Sequence, residues 1–218
     1  MIYITGFPHT GTSFLAEVVL RFGLNFGDPS NLKGITNTMN RHGHFEHVPI
    51  RNLIWDDIEK FNEDETLNPC DPRTYRVQDP NPIIVAQVEN IIDREQVQVY
   101  KDTFYPILHK YLPPPNLILA TYRDPHQVYL APIIGNLHDA VCNSGARLKK
   151  SMGLWYSTLA KEYPTDIVRA VNYDSLFNPD SFRAQMQLIS EWLDVRMDEE
   201  MFRSCEQAWY PQQMSKGR

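Results

Sequence analysis

Hydrophobic and polar positions follow two rhythms along this chain. Short, mostly apolar runs bounded by turn residues occur at Met1 to Thr5, Val97 to Tyr100, Asn116 to Tyr122 and Ile167 to Asn172. Their length and β-branched or aromatic content predict buried strands. Between them the apolar spacing becomes helical. Thr12 to Phe22 sets Phe14, Leu15, Val18, Val19 and Phe22 on one side, and Gly23 ends the pattern. Ile50 to Phe61 turns Leu53, Ile54, Ile58 and Phe61 inward and leaves Asp56, Asp57 and Glu59 mostly outward. Further helices are predicted over Ile83 to Arg94, Thr103 to Tyr111, Asn143 to Tyr163, Asp180 to Leu193 and Asp198 to Trp209. Another opens at Asp124-Pro125, since proline suits a first helical turn. Alternating apolar strands and helices predict an α/β fold: a central parallel sheet of about four strands, covered on both faces. The stretch Asn62 to Pro82 carries Pro69, Pro72, Pro80 and Pro82 without periodicity, which predicts a functional or mobile loop.

The chain has 218 residues, which fits one domain over residues 1–218. Hydrophobic residues make up 42% and charged residues 22%, which excludes wholesale disorder. A formal charge of −6 speaks against non-specific binding to nucleic acid or anionic lipid, while leaving room for a local basic pocket. Cys70, Cys142 and Cys205 are odd in number and widely spaced, so neither a disulfide framework nor a cysteine zinc site is expected. A reducing cytoplasm fits best. The first strand begins at the amino terminus, so no leader is expected. No apolar run approaches the roughly 18–20 residues of a membrane span. Oligomeric state leaves no sequence signature here.

In open parallel sheets, ligands sit at the carboxyl ends of the strands, and three segments there carry chemistry. Gly6-Phe-Pro8-His9-Thr10-Gly11-Thr12-Ser13 lies between a strand and a helix, with the G-x-x-x-x-G spacing of a phosphate loop. Glycines let successive amides turn inward, and the helix behind adds its positive end, so an anion can be held. The lysine of nucleotide hydrolases is replaced by Thr12, which argues against an ATPase or GTPase. Arg123, in Tyr122-Arg123-Asp124-Pro125, can clamp a phosphate bidentately or pair with a nearby acid. Lys101, in Tyr100-Lys101-Asp102, either faces the same pocket or is a surface lysine.

Together these segments resemble the sulfotransferases that use 3′-phosphoadenosine 5′-phosphosulfate. The loop is similar to that family's G-x-P-R/K-S-G-T-T/S, and Asn40-Arg-His-Gly43-His-Phe-Glu46 to the N-x-x-G-x-x-E of bacterial members. Val99-Tyr-Lys101-Asp102 resembles their K-D-P, and Arg123-Asp124-Pro125 the start of their 3′-phosphate motif. Val171 to Pro179 is similar to an architectural Y-E-D-L-x-x-N-P. The resemblance implies a three-layer, P-loop NTPase-like fold and a cytoplasmic enzyme. It implies sulfuryl transfer from the phosphosulfate co-substrate to a hydroxyl or amine of a small acceptor. Gly6, Pro8, Thr10, Gly11, Thr12 and Ser13 would hold the 5′-phosphosulfate, and Arg123 the 3′-phosphate. Glu46 would be the base, with a pKa raised by partial burial. His9 and Lys101 would assist the leaving or sulfuryl oxygens. No metal is required, because the chemistry needs positioning and charge stabilisation.

Two positions depart from the family. His9 stands where Arg or Lys is usual, and Ala131 where serine is usual. Arg147, Lys149, Lys150 or Lys216-Gly217-Arg218 are candidates to replace the missing phosphate contact. The departures keep open a degenerate, non-catalytic nucleotide binder. A small-molecule kinase is a second alternative. A metallohydrolase using His42, His44 and His47 is a third, although solvated or loop-packing histidines explain that cluster better. Trp55, Trp155, Trp192 and Trp209 read as core or rim, and the acidic run Asp56 to Glu65 as a solvated face.

Overall fold

The computed structural model describes residues 1–34, 44–59, 79–130, 145–176 and 178–216. Four parallel strands form its centre: β1 (Ile2–Gly6), β2 (Val99–Lys101), β3 (Leu117–Tyr122) and β4 (Val168–Asn172). They lie in the order β2-β1-β3-β4. Ile2 faces Val99 on one side and Leu117 on the other, and Gly6 faces Thr121. Tyr122 faces Asn172, so the carboxyl ends of all four strands share one edge.

Successive residues of a strand point to opposite faces, and this pleat splits the core in two. Tyr3, Tyr100, Ile118 and Ala120 face α2 (Val48–Glu59), α3 (Pro82–Glu95), α4 (Tyr105–Leu108) and α6 (Gly145–Glu162). Ile4, Val99, Leu119 and Val171 face α1 (Thr12–Arg21), α8 (Pro179–Trp192) and α9 (Glu199–Lys216). Two further helices, α5 (Pro125–Leu130) and α7 (Tyr173–Leu176), follow β3 and β4 directly. The result is the expected α/β architecture of a parallel sheet between helical layers.

Local chemistry sets several boundaries. Asn81 and Asn178 each cap a helix by accepting from the amide two residues on, and a proline follows each of them. Gln96, with φ of 52°, closes α3 in the left-handed region. The helix expected over Thr103 to Tyr111 shrinks to α4 and a 3₁₀ turn at His109–Tyr111. Asp102 Oδ1 accepts from the Phe104 amide at 2.8 Å and holds the entry in a turn. α9 runs past Trp209 to Lys216, although Pro211 has no amide to donate to it.

Asp57 corrects the expectation of a wholly solvated acidic face. It is buried, accepting from the Tyr111 hydroxyl at 2.8 Å and from the Asn81 amide at 3.4 Å. A hydroxyl arriving from a distant turn reverses the polarity that helical spacing predicts. Trp155 is core, and its indole donates to Thr103 O at 3.1 Å. The loop residues 60–78, and with them most of the acidic run, lie outside the described residues.

Candidate active site

The glycine loop joins β1 to α1 at the carboxyl edge of the sheet. Gly6 has no room for a side chain, since a Cβ would overlap the hydroxyls of Thr10 and Thr121. Those two hydroxyls share a hydrogen bond of 2.9 Å, and Thr10 also donates to Phe7 O at 2.6 Å. The Thr10 side chain therefore lies against the sheet and holds the loop's curve, and its amide closes the same turn onto Phe7 O at 3.2 Å. Gly11 adopts φ of 95°, and a Cβ there would overlap the ring of Tyr173. As the residue before α1, it offers no side chain to cap the amides of the first turn, which Thr12 and Ser13 begin. A ready anion seat has this form.

His9 stands at the crest of the loop with φ of 68° and an exposed surface. The walls around it still desolvate an imidazolium, and the Arg123 guanidinium repels one; both lower its pKa. At neutral pH His9 is a neutral donor or acceptor, a weaker anion partner than the usual Arg or Lys. Arg123 leaves the end of β3, stacks 4.8 Å over the Tyr173 ring and contacts Asp174 Oδ1 through Nε at 3.3 Å. Tyr173 thus touches both the loop glycine and the arginine. Tyr156, from α6, donates to Thr121 O at 2.7 Å. Burial pushes its hydroxyl up to about 12, so it stays a neutral donor beside the loop.

Glu46 and Lys101 meet in a second cluster at the same edge, built on β2. Both are buried, at 5% and 2% exposure, and Lys101 Nζ lies 3.2 Å from Glu46 Oε1. Arg51 Nη1 reaches Glu46 Oε2 at 3.0 Å, and Lys33 Nζ reaches the same oxygen at 3.8 Å. Arg51 also spans to Asp102 Oδ2, 3.4 Å from Nε. The expected raised pKa for Glu46 is corrected here. Burial pushes it up, but Lys101, Arg51 and Lys33 outweigh burial and hold it below the usual carboxylate value. Asp102 moves the other way, pushed up to about 6 by burial and by the nearby Glu46 charge. Burial also lowers the Lys101 pKa, against the pull of Glu46 and Asp102.

The structure thus brings the loop and Arg123 together, and separately Glu46 and Lys101. Arg51, Thr121 and Tyr156 were not anticipated. Arg51 carries a faint sequence signal as the one basic residue in α2, and Thr121 as the one aliphatic hydroxyl in β3. Asn40, Arg41, His42, Gly43, Ala131, Gly217 and Arg218 lie outside the described residues. Among the described residues no three His, Cys, Asp or Glu side chains gather as a metal site. Nor, among them, is any helix long and apolar enough to cross a membrane.

No protein-family model and no curated protein matches the sequence. Solved structures similar to the chain include two sulfotransferases. The sulfotransferase STF1 from Mycobacterium tuberculosis H37Rv has 16% identity and a TM-score of 0.47, over 94% of this chain and 70% of that one. The sulfotransferase domain of the Synechococcus PCC 7002 olefin synthase has 16% identity and a TM-score of 0.46, over 92% of this chain and 75% of that one.

Proposed function

We propose that this chain transfers a sulfuryl group from 3′-phosphoadenosine 5′-phosphosulfate to a hydroxyl or amine of a small acceptor. One observation carries the reading most: an anion loop without the hydrolase lysine has, at the next strand end, an arginine close enough to repel a charge on His9. That pairing suits a nucleotide with an additional phosphate away from its 5′ chain. At Gly6 and Gly11 the backbone runs so close to the Thr10 and Thr121 hydroxyls and the Tyr173 ring that only glycine fits, which fixes the curve of the loop.

In this reading the amides around Gly11, with Thr12 and Ser13, hold the 5′-phosphosulfate. Thr10 shapes the loop through Thr121, and Pro8 stiffens its ascent. Arg123 takes the 3′-phosphate, braced by Tyr173. The acceptor oxygen or nitrogen bonds to sulfur, the bond from sulfur to the bridging phosphate oxygen breaks, and the acceptor proton passes to Glu46. His9 and Lys101 stabilise the departing oxygens. The desulfated 3′-phosphoadenosine 5′-phosphate is the leaving group.

The test is calorimetric titration with that product nucleotide and with ADP. Arg123→Ala is expected to weaken the former at least tenfold more than the latter, the share of a charged bidentate contact. Equal losses would remove Arg123 from the 3′-phosphate.

The low pKa of Glu46 favours a second reading, a nucleotide binder without turnover, since a weakly basic carboxylate is a poor general base. Nucleotide binding without sulfated product across a panel of phenols, alcohols and amines would select it.

A further inference from the structure

A cavity of about 580 Å³ runs beneath α6, along the face of β3 and β4, away from the Glu46 cluster. Its size is that of small-molecule sites. Small side chains hold it open. Ala120 and Ala170 form the sheet side, Gly153 and Ala160 the helix side, and Tyr122 and Leu159 line it. Gly153 is the informative residue. It sits in the interior of an 18-residue helix, where glycine costs about 1 kcal/mol relative to alanine. Apart from its chain neighbours and the helix's own backbone, no atom lies within 4 Å of the place a Cβ would take, so close packing does not explain the glycine. Its effect is room. Ala170, likewise, is an exposed residue in the middle of an edge strand, where a larger β-branched residue would cover the sheet. Among the described residues the lining holds two cations, Arg123 and Lys149, and no acid. Lys149 makes no ion pair among the described residues.

We propose that this groove binds an apolar organic acid, its hydrocarbon body along α6 and its carboxylate at Lys149 and Arg123. Hydrophobic walls supply affinity, and Lys149, with the Arg123 donors that Asp174 leaves over, selects an anion over its neutral analogue. The groove shares Arg123 with the nucleotide reading, and Lys149 is among that reading's candidate phosphate contacts, so Gly153 and Ala160, which have no part in it, separate the two in the test.

Isothermal titration of the full chain with decanoate, and with decanol as the uncharged comparison, tests this. Decanoate is expected to bind saturably at one site and at least fivefold more tightly than decanol, the contribution of a partly exposed charge pair. Lys149→Gln should remove about that factor. Gly153→Leu should fill the groove and weaken decanoate at least tenfold, with a melting temperature equal to or above that of the native chain. Ala160→Leu, on the same wall, serves if Gly153→Leu fails to fold. Absent saturation, equal affinity for decanol, undiminished binding in a filled variant that folds, or indifference to Lys149→Gln would each overturn the proposal.

Discussion

Gly11 shows how much a single position decides. Its φ of 95° is costly for any side chain, and the Tyr173 ring already fills the space a Cβ needs. Gly11→Ala is expected to cost roughly 1–3 kcal/mol of stability and to abolish nucleotide binding, read by chemical denaturation and calorimetry. Undisturbed binding would mean that the loop relaxes without loss. Arg51 decides the electrostatics of the other cluster, because one guanidinium contacts both Glu46 and Asp102. Removing that cation favours the protonated form of each acid. Carbon-13 carboxyl NMR should therefore find Glu46 titrating below its usual range and Asp102 near about 6, with both moving upward in Arg51→Gln. The loop glycines and Lys101 were legible as residue types. That Lys101 grips Glu46 was not, because 55 residues separate them and only folding makes them neighbours.

At the scale of elements, Glu95 ties three segments together. At the end of α3 it accepts from His47 Nε2 at 2.9 Å, from Asn31 Nδ2 at 2.9 Å and from the Asp28 amide at 2.9 Å. Burial disfavours its charge, but the hydrogen bonds from Asp28, His47 and Arg94 outweigh that and hold its carboxyl down at about 2. A depressed folded-state pKa gives stability that is complete above the unfolded value and is lost as pH falls through the folded one. The native chain should accordingly lose stability between about pH 4.5 and pH 2 through this group. Glu95→Gln should cost roughly 1–3 kcal/mol at neutral pH and flatten that acid limb, as measured by urea denaturation at several pH values. An unchanged limb would place the acid sensitivity elsewhere. Most helix positions followed from apolar spacing, while the expected Thr103 to Tyr111 helix shortened to α4 and a 3₁₀ turn and α9 extended to Lys216. Clasps such as this one, and the Tyr111–Asp57 bond, escaped notice because polar partners far apart in sequence leave no periodic trace.

For the whole molecule, a ligand held at the sheet edge that carries the loop, Arg123 and the Glu46 cluster binds only the native chain and should stabilise the entire fold. At a hundredfold excess over its dissociation constant, 3′-phosphoadenosine 5′-phosphate is expected to add about 2.7 kcal/mol. For a chain this long that raises the melting temperature by roughly 5–10 °C, and ADP at equal concentration should raise it less. Equal shifts would count against recognition of a 3′-phosphate. The architecture itself was written in local patterns. Strand runs, helical spacing and the glycine loop depend on neighbours within a few residues, so they determined the α/β class, the four strands and the place of the loop. The charge states of Glu46, Asp102 and His9, the turn of Thr10 toward Thr121, and the open groove beneath Gly153 were decided by tertiary structure alone. Each arises from groups brought within a few ångströms across long stretches of chain, and burial and Coulomb forces act on distance in space, to which the order of residues is blind.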